Sequence, residues 1–151
     1  MCGHLEIGVP MKNDYRKSLK PIGKKGHLFE VISPIRVFKK VYVNGGNHFD
    51  VRAVVAELEI PVGALVVVPT ELGGLEHRIM FQKQRASEAK VIRIRDISTD
   101  ATYKTAESAF DCTFKYTVGK TVKPTKAFNK IDYACTSGIH FFRTYTQARE
   151  Y

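Results

Sequence analysis

Ile35-Arg-Val-Phe-Lys-Lys-Val-Tyr-Val43, then Asn44-Gly-Gly-Asn47, then Val51-Arg-Ala-Val-Val-Ala-Glu-Leu-Glu-Ile60, is the stretch on which the fold turns. Side chains along an extended strand point alternately to opposite faces, so apolar residues at every second position mark one buried face. Ile35, Val37, Val41 and Val43 share one parity in the first run, interrupted by Lys39. Val54, Ala56, Leu58 and Ile60 share one parity in the second, with Glu57 and Glu59 on the other face. Asn and Gly tolerate positive φ, which makes 44–47 a strong turn signal. The stretch therefore reads as an antiparallel hairpin with a long loop. A lysine on the apolar face suggests that the first strand lies at a sheet edge.

Outward from the hairpin, short strand patterns recur. Residues 28–32 and 65–68 are apolar runs closed by Ser33-Pro34 and by Pro69, and 138–142 is a third. Over 90–97, Ile92 and Ile94 alternate with Arg93 and Arg95. Cys112, Phe114, Tyr116 and Val118 alternate with Thr113, Lys115 and Thr117. Residues 72–75, with two glycines, read as a flexible loop, and 87–89 as a helical turn. Ser98, Thr99 and Asp100 offer capping oxygens for a short helix over 100–109. Thr144 and Gln147 have the capping-box spacing for a helix running to Tyr151. Residues 1–26, broken by Gly3, Gly8, Pro10, Pro21, Gly23 and Gly26, read as an irregular arm. The expected organisation is that arm followed by a single α+β domain over 27–151. Its expected architecture is a twisted, mainly antiparallel sheet with one or two short helices.

Composition narrows the function classes. A chain of 151 residues can build a core without disulfide or metal staples. Three cysteines, Cys2, Cys112 and Cys135, argue against a disulfide framework and for a reducing compartment. The opening residues lack a basic segment followed by an apolar one, so a secretory leader is not expected. The apolar run over 60–69 is far short of the ~20 residues that span a membrane. Formal net charge is +9, concentrated in the first forty residues and again after 110. Lys12, Arg16, Lys17, Lys20, Lys24 and Lys25 form the densest stretch. Such an excess suits an acidic partner: nucleic acid held without sequence preference, an acidic protein face, or a phosphorylated ligand. A solvated arm is the plainer explanation of the same charges.

Catalytic signatures are sparse. Five histidines and three cysteines are scattered without the close pairs of a structural zinc site, so no metal is expected. Val118-Gly-Lys-Thr121 lacks the earlier glycine of a phosphate loop and reads as a turn with a solvated lysine. No nucleophile elbow is present, and Cys135 is more simply a small core residue than a reactive thiol.

Two resemblances add to this. Tyr116-Thr-Val-Gly-Lys-Thr-Val-Lys-Pro124, Cys135-Thr-Ser-Gly-Ile-His-Phe-Phe142 and Ala148-Arg-Glu-Tyr151 carry the first. Ala56-Glu-Leu-Glu-Ile-Pro61 and Gln84-Arg-Ala-Ser-Glu-Ala-Lys-Val91 extend it, so that it covers 28–151. Together these segments resemble the uncharacterised domain that accompanies pentapeptide repeats in large DNA viruses, although no such repeat tract is present here. The resemblance implies a virus-encoded protein of the host-cell cytoplasm or the virion, not secreted, a minor capsid or other structural component with other virion proteins as partners. Locally, Gly138-Ile-His-Phe141 with Tyr151 is similar to the segment of poly-ADP-ribose polymerases in which two aromatic residues sandwich the nicotinamide of NAD. That similarity implies an NAD site at His140 and Tyr151, with Tyr116 nearby. His140 stands where those enzymes have tyrosine, and their downstream glutamate has no counterpart, leaving Glu57, Glu59 or Glu88 as substitutes. The residues by themselves favour a core role for Ile139 and Phe141 and a packed helix terminus at Tyr151. The leading expectation is a non-enzymatic interaction or structural protein without a cofactor; the alternative is an NAD-binding, ADP-ribosyltransferase-like domain.

Overall fold

The computed structural model describes residues 15–44, 50–71, 74–109 and 114–151, and it places the hairpin at the centre of the larger of two antiparallel sheets. The smaller sheet runs β1 (Leu19–Pro21), β2 (Leu28–Val31), β5 (Leu65–Val67), β6 (Gln84–Ala86) and β12 (Ile139–Phe141), in that spatial order. The larger runs β10 (Lys115–Thr117), β9 (Thr105–Glu107), β3 (Ile35–Asn44), β4 (Val51–Ile60), β7 (Ala89–Asp96) and β11 (Thr121–Val122), with β8 (Thr102–Tyr103) paired to β7. Two short helices are α1 (Leu75–Phe81) and α2 (Tyr145–Glu150), and residues 15–17 form a further helical turn. The sheets are joined by a backbone bridge: Phe38 and Phe142 exchange N–H···O bonds of 2.9 and 2.7 Å.

The hairpin register explains the core. Val37 lies opposite Leu58 and Val41 opposite Val54, and all four are fully buried. Each such side chain contributes about 1.5–3 kcal/mol through the apolar area it removes from water. Lys39 does not mark an edge, because β3 pairs with β4 on one side and β9 on the other. It lies opposite Ala56, the smallest side chain of that face of β4.

Several expectations are corrected. Of the segment read as an irregular arm, residues 1–14 lie outside the described residues, whereas 15–17 form a helical turn and 19–21 form β1. Tyr15 and Leu19 are core residues, and β1 pairs with β2. The buried Tyr15 hydroxyl donates to Gln84 Oε1 at 2.5 Å, and the Arg143 guanidinium lies 4.5 Å from its ring centroid. The expected helix at 100–109 is β8 and β9, because β-branched Thr102 and Thr105 beside Tyr103 suit strands and β7 and β10 supply partners. The capping oxygen acts earlier than expected: Asp96 Oδ1 accepts from Ser98 N and Thr99 N, closing a turn. Residues 87–89 are not helical; Ser87 Oγ accepts from Leu65 N and ties β6 to β5. Helix α1 begins where only a loop was read. The alternation at 90–97 is also displaced. A bulge at Ile92 puts Val91 opposite Leu58 and Arg93 opposite Glu57, so Val91 and Ile94 face the core. Of the 112–118 strand, β10 covers Lys115–Thr117, and Cys112 and Thr113 lie outside the described residues.

Helix α2 forms as its sequence requires. Thr144 Oγ1 accepts from Gln147 N and Gln147 Oε1 accepts from Thr144 N, each at 3.2 Å, a complete capping box.

Candidate ligand cleft

Where the edge strands β10 and β12 face each other beside β3, the structure opens into a cleft of about 940 Å³. Strand β3 contributes Lys39, Lys40 and Tyr42; the turn after α1 contributes Lys83; Phe114 and Tyr116 come from the β10 side. The opposite wall is residues 124–126 and the segment 135–142, and Tyr151 at the end of α2 completes the rim. His140, Tyr151 and Tyr116, brought together by sequence similarity alone, thus share one cavity.

The wall formed by 124–138 has almost no regular secondary structure, and Arg85 holds it in place. Arg85 sits in the middle of β6, fully buried. Its Nε donates to Tyr133 O at 2.8 Å, Nη1 to Asn129 O and Ser137 O at 2.7 Å, and Nη2 to Ile131 O at 2.8 Å. One guanidinium therefore satisfies four carbonyls that no strand or helix would otherwise pair. Burial lowers its pKa, yet guanidinium begins so basic that it stays charged. Asp132 accepts from Thr70 N at 2.9 Å and from the Thr70 hydroxyl, pinning the same segment to the end of β5. A β-carbon at Gly138 would come within 2.9 Å of Arg85 Cβ and 3.2 Å of the Phe128 ring. Glycine is needed there for close approach.

The cleft is cationic and aromatic. Lys39 Nζ donates to His140 O at 3.0 Å, crossing from β3 to the outer edge of β12. Burial, reinforced by the Lys83 charge, brings its pKa down to about 8. His140 donates from Nε2 to Ala134 O at 2.9 Å. Burial first, then the Lys39 charge, holds its imidazole down to about 4, against the opposing effect of that carbonyl. The ring is therefore neutral at pH 7, with its Nδ1 lone pair an acceptor. Lys83 Nζ donates to the Tyr151 hydroxyl at 2.8 Å and lies 3.9 Å from Cys135 Sγ. Tyr151 packs on Phe142 at 5.0 Å between centroids, and Phe114 on Tyr116 at 5.2 Å. Among the described residues no Asp or Glu side chain lines the cleft.

The three glutamates named as substitutes for the downstream glutamate of those enzymes lie elsewhere. Glu57 is engaged by Arg36 and by Arg93, the latter at 3.0 Å, and Glu59 by Arg36 at 3.4 Å. Burial would raise the Glu57 pKa, but the two guanidiniums outweigh it and hold the carboxyl below its ordinary range. Glu88 lies between β6 and β7 and is not on the wall. The ring packed on Tyr151 is Phe142, not His140. Cys135 is exposed at the rim rather than in the core.

The basic residues of the opening segment lie apart from the cleft lining. Arg16, Lys17, Lys20, Lys24 and Lys25 are all exposed, and none forms an ion pair with a described carboxylate; Lys12 lies outside the described residues. Sequence reasoning missed Lys39, Lys83, Lys126 and Arg85 as site residues. Only Lys39 left a signal, as a charge on an apolar parity.

A family of unknown function (DUF5758) matches residues 22–148. The chain belongs to this family. It is also 29% identical over 147 residues, 95% of this chain and 88% of the other, to an uncharacterised protein, L223, of Acanthamoeba polyphaga mimivirus. No solved structure matches it. The first resemblance is thereby narrowed to an uncharacterised domain with a viral relative. Neither pentapeptide repeats nor ADP-ribosyltransferases enter the match.

Proposed function

We propose that this is a viral binding protein that takes an acidic ligand in its lysine-lined cleft, acting in the host-cell cytoplasm or the virion. The observation that carries the reading is charge composition: Lys39, Lys40, Lys83 and Lys126 reach one cavity, and no described Asp or Glu side chain offsets them. Clustered like charges raise one another's energy, and an anion relieves that cost. Phe114, Tyr116, Phe142 and Tyr151 give the carbon body of a ligand apolar surface to displace water from. The cavity volume is that of a small-molecule site. Transfer of ADP-ribose is not part of this reading; among the described residues no glutamate lines the wall.

The test uses 8-anilinonaphthalene-1-sulfonate, an anion with fused rings. Its fluorescence titration is expected to saturate at one site, to weaken with salt, and to weaken about tenfold in Lys83→Gln, the loss of one charge-assisted contact. Absence of saturation, or a titration indifferent to both salt and Lys83→Gln, would falsify the reading.

A second reading concerns the exposed basic residues 16–25, favoured by their lack of ion-pair partners among the described carboxylates. An extended acidic partner, a protein face of the virion or nucleic acid, suits such a surface better than the cleft does. Deleting the segment would remove Tyr15 and Leu19 from the core, so the charges must be neutralised instead. The combined Lys17→Gln, Lys20→Gln, Lys24→Gln and Lys25→Gln change should abolish low-salt retention on heparin or DNA. Unchanged retention rules this surface out.

A further inference from the structure

Lysine is almost never placed on the core side of an interior strand unless a carboxylate pairs with it. Lys39 is so placed, between Val37 and Val41 in parity, and among the described residues it has no such partner. Its one hydrogen bond is donated to the His140 carbonyl, and its end opens on the cleft. A hydrogen bond donated by an amine leaves the nitrogen lone pair unengaged. The same cavity holds other cations, Lys83 and Lys126, suited to hold an anionic group, and rings suited to hold a carbon skeleton.

We propose that Lys39 Nζ captures a carbonyl compound bearing a phosphate or carboxylate by reversible imine formation. This rests on the cleft being an anion site and specifies how the ligand is held there. The neutral amine adds its lone pair to the carbonyl carbon, forming the C–N bond while one of the nitrogen's protons passes to the carbonyl oxygen. The carbinolamine then loses its hydroxyl, together with a proton from nitrogen, as water. The product is the imine, no oxidant or reductant is consumed, and hydrolysis returns ligand and lysine. The physical requirement is an amine free of its proton near neutral pH, and desolvation beside a second cation supplies it. The lowered Lys39 pKa, with burial and Lys83 as its causes, agrees with that arrangement. Among the described residues, the other ionisable side chains on the lining are Lys40, Lys126, His140, Tyr42, Tyr116, Cys135 and Tyr151. None of these is a carboxylate that would hold the ammonium charged.

Pyridoxal 5′-phosphate is the probe, with borohydride reduction and peptide mass mapping of the full-length protein at pH 7. Exposed Lys20 and Lys24 serve as internal references. Lys39 is expected to label at least about tenfold faster than either, since its lowered pKa frees more of the amine at pH 7 and the cleft cations hold the phosphate beside it. Pyridoxal lacking the phosphate is expected to label it more slowly. Labelling of Lys39 no faster than Lys20 and Lys24, or equal labelling with and without the phosphate, overturns the proposal. So does a folded Lys39→Arg protein that keeps an equally fast site elsewhere. The naphthalene-sulfonate titration separates the two levels. Saturation without selective labelling of Lys39 removes the imine and leaves the anion cleft standing, whereas no saturation removes both.

Discussion

A lysine held among valines carries a cost that can be measured. Lys39 titrates at about 8 in the fold against 10.5 for a free side chain, so the folded state binds its proton more weakly than the unfolded state does. The unfolded chain holds more protons between those values. The penalty is therefore full below pH 8 and fades as pH rises toward 10.5. Replacing Lys39 by Met should stabilise the protein at pH 7 by about 2–3 kcal/mol, and the gain should shrink at pH 10. Denaturant titrations at the two pH values check this; equal stability of both proteins at pH 7 contradicts it. Arg85 behaves in the opposite sense. Arg85→Met takes the donor from the Asn129, Ile131, Tyr133 and Ser137 carbonyls, of which Ile131 O and Ser137 O keep a backbone N–H, and it empties a buried site in β6, with an expected loss of about 3 kcal/mol. Gly138→Ala should disturb the same wall, since the added carbon meets Arg85 and Phe128. The sequence exposes Lys39 as an anomaly of parity, and edge placement was the nearest explanation. Nothing local marks Arg85 as central, because its partners lie more than forty residues away.

At the level of the element, what could be read was what depends on neighbours in sequence. The central hairpin follows from alternation and a turn signal, and α2 from the Thr144–Gln147 spacing. What could not be read depends on a distant strand. Residues 102–107 become strands because β7, β3 and β10 lie alongside, and β1 forms because β2 offers an edge. The bulge at Ile92 is of the same kind: pairing with β4 sets it, overriding the alternation of the segment itself. The capping box is testable alone. Thr144→Ala should cost about 1 kcal/mol by releasing a helix N-terminus. It should also loosen Tyr151 from Lys83 and thereby weaken naphthalene-sulfonate binding. Unchanged affinity in the destabilised variant would detach α2 from the cleft.

Across the whole molecule, two antiparallel sheets meet at one backbone bridge, and the cleft lies beside that junction. Among the described residues its walls come from six separated stretches of chain, so no single motif announces it. The same assembly sets an acid limit. His140 stays neutral down to about 4, whereas a free histidine takes its proton near 6.5. Between those values the unfolded state binds the extra proton, so stability falls as pH drops from about 6.5 toward 4 and is unaffected by this group above that range. His140→Gln should flatten the decline over that window, with thermal unfolding as the measurement; an unaltered decline assigns it to other groups. Asp96, Glu57 and Asp132, all held below their ordinary range, lose their contributions only at more acid pH. The exposed thiol at the rim offers something practical. A solvatochromic dye on Cys135, in a background with Cys2→Ser and Cys112→Ser, would sit 3.9 Å from the Lys83 ammonium at its point of attachment. Its emission would change as that ammonium is neutralised, so the protein carries its own anchorage for an optical sensor with which unlabelled compound libraries can be screened.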